Sequence, residues 1–200
     1  MCNWSRLLCC LALSCTSVQA SNLLSNSDFN SGLTVWNTFS YVASIDNTDG
    51  SPSVPAMQIS TTPFFMAPGS FFDFWSECVP LAGSPPPWEY GMRVRVVSAG
   101  SSCHMDISAS FDTGTCAQQG TNFGSAAFPV GTVSGVQGNF TQYAATTNDP
   151  MPGGGISHVV RLIALGICDA AGEAMTINVD HAYFGTAGTT PVRLQSFGVQ

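Results

Sequence analysis

From Tyr90 to Val96 and from Cys103 to Phe111 the side chains alternate in character. Tyr90, Met92, Val94 and Val96 are separated by Gly91, Arg93 and Arg95. Met105, Ile107, Ala109 and Phe111 alternate with His104, Asp106, Ser108 and Ser110. A period of two with one apolar face marks a half-buried antiparallel strand. Elsewhere short β-rich runs are separated by clusters of Gly, Ser, Pro, Thr and Asn. That spacing predicts an all-β sandwich or barrel. Strands are expected near Val35–Val42, Ala56–Ile59, Phe71–Val79, Tyr90–Val97, Cys103–Phe111, Ala126–Val130, Phe140–Ala145, His158–Cys168, Met175–Phe184 and Val192–Phe197. Asp169–Ala174 reads as one helical turn. No internal repeat or linker divides the chain, whose 200 residues suit one domain.

Charged residues make up only 8% of the chain, all five basic residues are arginine, and the net charge is −7. A nucleic-acid backbone or an anionic membrane surface would need clustered cations, so neither is expected as a partner. A long helical bundle would need charged outer faces and is excluded on the same count.

Residues 1–20 carry one arginine, an apolar run from Leu7 to Cys15, and Val18-Gln19-Ala20 at the end. This pattern predicts a signal peptide cleaved before Ser21, leaving 21–200 as the mature domain. The alternative is a lipid anchor at Cys15, whose preceding Ala12-Leu13-Ser14 matches poorly. The run is too short to span a bilayer, and no other segment is apolar enough for membrane insertion. The expected location is extracellular or periplasmic. Cys78, Cys103, Cys116 and Cys168 remain after cleavage, and an even number in an exported chain implies two disulfides. None of these pairs has the spacing of a zinc site.

Three blocks resemble one family. NLLSNSDFNSGLTVWNTFS (Asn22–Ser40) is similar to the opening of the galactose-binding-like jelly-roll carbohydrate-binding modules of the CenC type. ECVPLAGSPPPWEYGMRVRV (Glu77–Val96) resembles their paired central strands, and TINVDHAYFG (Thr176–Gly185) their closing strand. The resemblance implies a two-sheet antiparallel jelly roll. Its sheets would take the orders Ala56–Ile59, Met175–Phe184, Tyr90–Val97, Phe140–Ala145 and Phe71–Val79, His158–Cys168, Cys103–Phe111, Ala126–Val130. That order implies the disulfides Cys78–Cys116 and Cys103–Cys168. Cys78–Cys168 would join opposite ends of two neighbouring strands. The resemblance also implies a structural Ca2+ between the N-terminal turn and the closing strand, held by Asp28, Asn30 and Asp180. Asp28 and Asn30 stand where the family tends to have Gly and Glu, and His181 replaces a second Asp. The alternative for Asp180 is a pair with Arg93 or Arg95. Asp46–Ser51 is acidic but lacks the later glutamate of an EF-hand and reads as a solvated turn.

A sugar ring has an apolar C–H face and a polar rim, and is gripped by flat aromatic rings with a few hydrogen-bonding groups. The run Phe64–Glu77 holds six aromatics. If Cys78 points inward, alternation sends Trp75 outward with Asp73 and Glu77 beside it. Arg161, His104 and Asp106 then share that face through the neighbouring strands. The competing readings bury Trp75 in the core or under the tail, and pair Arg161 with Glu77. Trp88, after three prolines, either contacts ligand or caps the edge of the core; Trp36 reads as core. Asn139-Phe140-Thr141 is an N-glycosylation sequon, which matters only in a eukaryotic host. His104, His158 and His181 are scattered and no nucleophile motif accompanies them. Asp73 and Glu77 are a carboxylate pair of the kind a glycosidase uses, though two carboxylates on one strand face are usually just polar outer positions. Three functions compete: a secreted, monomeric, non-catalytic module binding a polysaccharide or glycan, an adhesive or structural sandwich with protein partners, and a small polysaccharide-active enzyme.

Overall fold

The computed structural model describes residues 22–38, 43–63, 69–82, 84, 86–117, 126–148 and 157–188. The expected signal segment with Cys15, the strand near Val192–Phe197, and positions 64–68 of the aromatic run lie outside them. Twelve strands are described: β1 (Asn37–Thr38), β2 (Ala43–Asp46), β3 (Ala56–Ser60), β4 (Thr62–Pro63), β5 (Ser70–Trp75), β6 (Val79–Pro80), β7 (Trp88–Ala99), β8 (Cys103–Asp112), β9 (Ala126–Ser134), β10 (Thr141–Thr147), β11 (Val159–Cys168) and β12 (Met175–Thr186).

They form two antiparallel sheets. One runs β1-β5-β11-β8-β9, with β4 beside β5 and β6 beside β11; the other runs β10-β7-β12-β3-β2. This is the jelly-roll order that the family resemblance implies. Both expected disulfides are present, Cys78–Cys116 and Cys103–Cys168. The alternating residues of β7 and β8 face as their pattern requires: Met92, Val94, Val96, Met105, Ile107 and Phe111 are buried between the sheets. Phe29, Trp36, Phe72, Phe74, Trp88 and Phe184 complete this core.

Two local expectations differ. Of the strand expected at Val35–Val42, the described residues form only β1, which pairs with β5; β2 begins after it, at Ala43, and pairs with β3 in the other sheet. The helical turn at Asp169–Ala174 is a non-helical β11–β12 connection, with Gly172 at φ 78°. Glu173 holds it by accepting from Ser101 Oγ and from Ser102 N and Oγ. The segment closes one turn bond of its own, Glu173 N to Ala170 O at 3.2 Å, and Ala170 N donates instead to Ser102 Oγ at 2.9 Å.

Close packing also explains two glycines. A Cβ on Gly166 of β11 would stand 2.3 Å from the Phe72 ring, and one on Gly91 of β7 would stand 2.0 Å from the Tyr143 carbonyl oxygen. Both positions therefore take a residue without a side chain.

Candidate functional site

Trp75 lies on the outer face of the seven-stranded sheet. On β5, Ser70, Phe72 and Phe74 are buried, while Phe71, Asp73 and Trp75 are half-buried on the opposite side. The strand register extends this face across the sheet. Trp75 stands beside Ile163 and then Ser108, Asp73 beside Leu165 and then Asp106, and Phe71 beside Ile167 and then His104. Thr132 of β9 continues the middle row and donates to Asp106 Oδ1 at 2.6 Å. His104 Nε2 approaches Asp106 Oδ2 at 3.9 Å. Arg161, on the same side of β11, is half-buried, and burial lowers its pKa. Rings and aliphatic side chains thus run along β5 and β11, with polar groups between and beside them. Leu165 is 38% exposed.

The alternation of β5 does not continue to Cys78. Trp75 pairs with Ile163, but Val79 pairs with Val160, which leaves one extra residue between Ser76 and Val79. Such a bulge re-aims the side chains beyond it. Trp75 faces outward because Phe72, Phe74 and Ser76 face inward, while Cys78 is only half-buried. Glu77, expected beside Trp75, is redirected by the bulge. Its Oε1 accepts from Ser25 N at 2.7 Å and Ser25 Oγ at 2.6 Å, anchoring the N-terminal segment. Among the described residues no ion pair joins Glu77 to Arg161.

Trp88 is not a surface ring. It is 2% exposed, stacks on Phe111 with centroids 5.4 Å apart, and donates Nε1–H to Ser84 O at 2.9 Å. The polar N–H reaches a backbone acceptor at the edge of the sandwich while the ring fills its end. Trp36 is also core, tilted against Phe29 and Phe74.

The residues assigned to calcium lie at the junction of the N-terminal turn and β12. The junction is made by main-chain and Asn22 hydrogen bonds: Leu23 N to Phe184 O, Ala182 N to Ser27 O, and Asn22 Nδ2 to Ala182 O. His181 sits at a register shift of β12 with φ 44°. Its Nδ1 lies 2.7 Å from Asp28 Oδ1, and its backbone N donates to Asp180 Oδ1 at 2.7 Å. Ser51 N donates to Asp180 Oδ2. Both Asp180 oxygens are thereby engaged, and burial pushes its pKa up to about 6 against the lowering effect of those two N–H groups. Asn30 is exposed. Among the described residues no group of three His, Cys, Asp or Glu side chains is placed to hold a metal ion. Arg93 donates to Ser51 Oγ at 3.0 Å, and Arg95 pairs with Asp49. The Asp46–Ser51 turn therefore packs onto the five-stranded sheet through its carboxylates.

Sequence reasoning missed Phe71, Ile163, Leu165 and Ile167 as members of the outer face. The signal was present in the parity set by Arg161. It was masked because VVRLIALGIC is apolar at nearly every position and reads as a strand buried on both sides.

No family model and no curated protein matches the chain. Solved structures do. A carbohydrate-binding module of the β-sandwich superfamily is 13% identical, with 82% of this chain and 63% of that chain covered and a TM-score of 0.54. The CBM22-1–GH10 modules of the Clostridium thermocellum endo-1,4-β-D-xylanase 10B, complexed with xylohexaose, are 13% identical; 88% of this chain and 30% of that chain are covered, with a TM-score of 0.51. An arabinose-bound α-L-arabinofuranosidase is 13% identical over 85% of this chain and 27% of its own, with a TM-score of 0.52. The chain shares the two-sheet jelly-roll fold found in carbohydrate-binding modules.

Proposed function

We infer that this protein is a non-catalytic, exported glycan-binding module whose binding face is the outer side of the seven-stranded sheet. The observation that carries this reading is Trp75. Its indole stands on an outer sheet face in register with Ile163 and Ser108; the next row on that face holds Asp73, the exposed Leu165 and Asp106, and the one after it Phe71, Ile167 and His104. A ring on a sheet face offers a stacking surface to the C–H side of a sugar, and the carboxylates and imidazole accept or donate to its hydroxyls. A net charge of −7 without lysine favours a neutral glycan over a polyanionic one. Two disulfides suit an oxidising compartment outside the cytosol. Glu77 Oε1 is engaged by Ser25 N and Oγ as an anchor for the N-terminal segment, which supports binding over glycosidase chemistry.

The test is a glycan array on wild-type protein and Trp75→Ala. The variant is expected to bind its best glycan at least tenfold more weakly, about 1.4 kcal/mol, with Tm within a few degrees of wild type. Wild-type protein that binds no glycan at millimolar concentration overturns the reading in favour of protein contacts. A large loss of stability in the variant identifies Trp75 as core.

In this reading the N-terminal turn is tied to β12 by His181 rather than by calcium. The support is that Asp28 and Asp180 already accept hydrogen bonds from the His181 side chain and main chain. These bonds tie the turn to β12 without a cation. Thermal melts in chelator and in calcium are therefore expected to coincide. A fall in Tm on chelation that added calcium restores would reinstate the metal.

A further inference from the structure

The flank formed by β9 and β10 differs from the rest of the molecule. These strands end the two sheets on the same side. Among the described residues β9 hydrogen-bonds to β8 and β10 to β7, with no strand beyond either. An open strand edge is a template for pairing with another chain, and proteins blunt it with charge, lysine above all, or with proline or a bulge. This chain has no lysine, and from Thr113 to Asn148 it has no Asp, Glu, Arg or His. β9 contains Pro129 and a register shift, whereas β10 pairs with β7 without interruption.

The connection between these strands carries Asn139-Phe140-Thr141. Besides Asn3-Trp4-Ser5 in the expected signal segment, it is the only sequence of this kind in the chain. Asn139 and Thr141 are both exposed. The residues around Asn139 are held down. Gln137 N donates to Val96 O at 3.0 Å, Gln137 Nε2 donates to Tyr143 Oη at 2.9 Å, and the Phe140 ring lies 5.8 Å from the Arg95 guanidinium. A Cβ built on the adjacent Gly138 meets nothing within 4 Å, so the space around the turn is open.

We propose that Asn139 is N-glycosylated and that its glycan shields the uncharged edges of β9 and β10. The Asn139 amide nitrogen attacks the anomeric carbon of an oligosaccharide carried on a lipid pyrophosphate. The C–N bond forms as the anomeric C–O bond breaks, the lipid pyrophosphate departs with the electron pair, and the amide nitrogen gives up one proton. The attached chain is bulky and solubilising, which supplies what charge supplies elsewhere. The attachment point follows β9, which lies three strands from β5, roughly 14 Å away at the usual strand spacing, so the glycan is not attached on the Trp75 strand.

The test begins with protein isolated from its own cells. A peptide N-glycosidase is expected to lower its mass and convert Asn139 to Asp in the recovered peptide. Recovery of that peptide with unmodified Asn139 overturns the proposal. Asn139→Gln and Thr141→Ala are expected to lose the glycan, and Thr141→Ser to keep it. Light scattering then reads the shielding. Protein trimmed after folding with an endoglycosidase, which leaves a single sugar on Asn139 and adds no charge, is expected to form species larger than the glycosylated form. Trimmed protein that stays as dispersed as the native form overturns the shielding role.

Discussion

Trp88→Ala is expected to destabilise the protein by about 3–5 kcal/mol, the range for emptying a large aromatic from a packed core. The indole closes one end of the sandwich against Phe111, with Phe184 6.2 Å away, and its N–H bonds Ser84 O. Alanine leaves a cavity between β7, β8 and β12 and strands the Ser84 carbonyl. A small domain has only about 5–15 kcal/mol in total, so urea melts of the variant should show a large shift in midpoint. Trp75→Ala should barely move the same midpoint, because its ring is on the outer face. A Trp88 variant with wild-type stability but weakened glycan binding would reverse the roles of the two rings.

Replacing Cys103 and Cys168 together by Ala is expected to cost about 4 kcal/mol, from the chain entropy released when a 65-residue link is opened. The two residues face each other in the β8–β11 register and are buried at 3% and 0% exposure. Removing this bridge also leaves the core short of two sulfur atoms. The Cys78–Cys116 bridge spans 38 residues between half-buried positions, and its removal should cost less. Chemical denaturation of the two double variants measures both losses. Equal losses, or a larger one for Cys78–Cys116, would show that neither burial nor loop length sets the cost of losing a bridge.

Much of this architecture was legible before the structure. Strict alternation in Tyr90–Val96 and Met105–Phe111 specifies which side chains go inside, because a strand has only two faces and one of them is dry. The family resemblance supplied the strand order, and the order implied which cysteines meet. The boundaries were less legible. Val35–Val42 has the composition of one strand, yet of its described residues only Asn37 and Thr38 pair, on β5, and the next strand, Ala43–Asp46, joins the other sheet through β3, a choice made by those partners and not by local propensity.

The site divides in the same way. Residue pattern alone put Trp75 with Asp73 and His104 with Asp106, since parity on a regular strand is a local property; it did not bring these and Arg161 onto one sheet face, which took the strand order implied by the resemblance. It could not separate Trp75 from Trp88, since both are rings beside acidic residues in strand-like contexts. The tertiary structure decided that Trp88 is enclosed by Phe111 and Phe184, which come from distant strands. It also decided the fate of Glu77. A single extra residue between Ser76 and Val79 ends the alternation, and the carboxylate finds Ser25, 52 positions earlier. Parity propagates only while the register is unbroken, and a bulge is created by the pairing of two strands, so no one segment of sequence contains it.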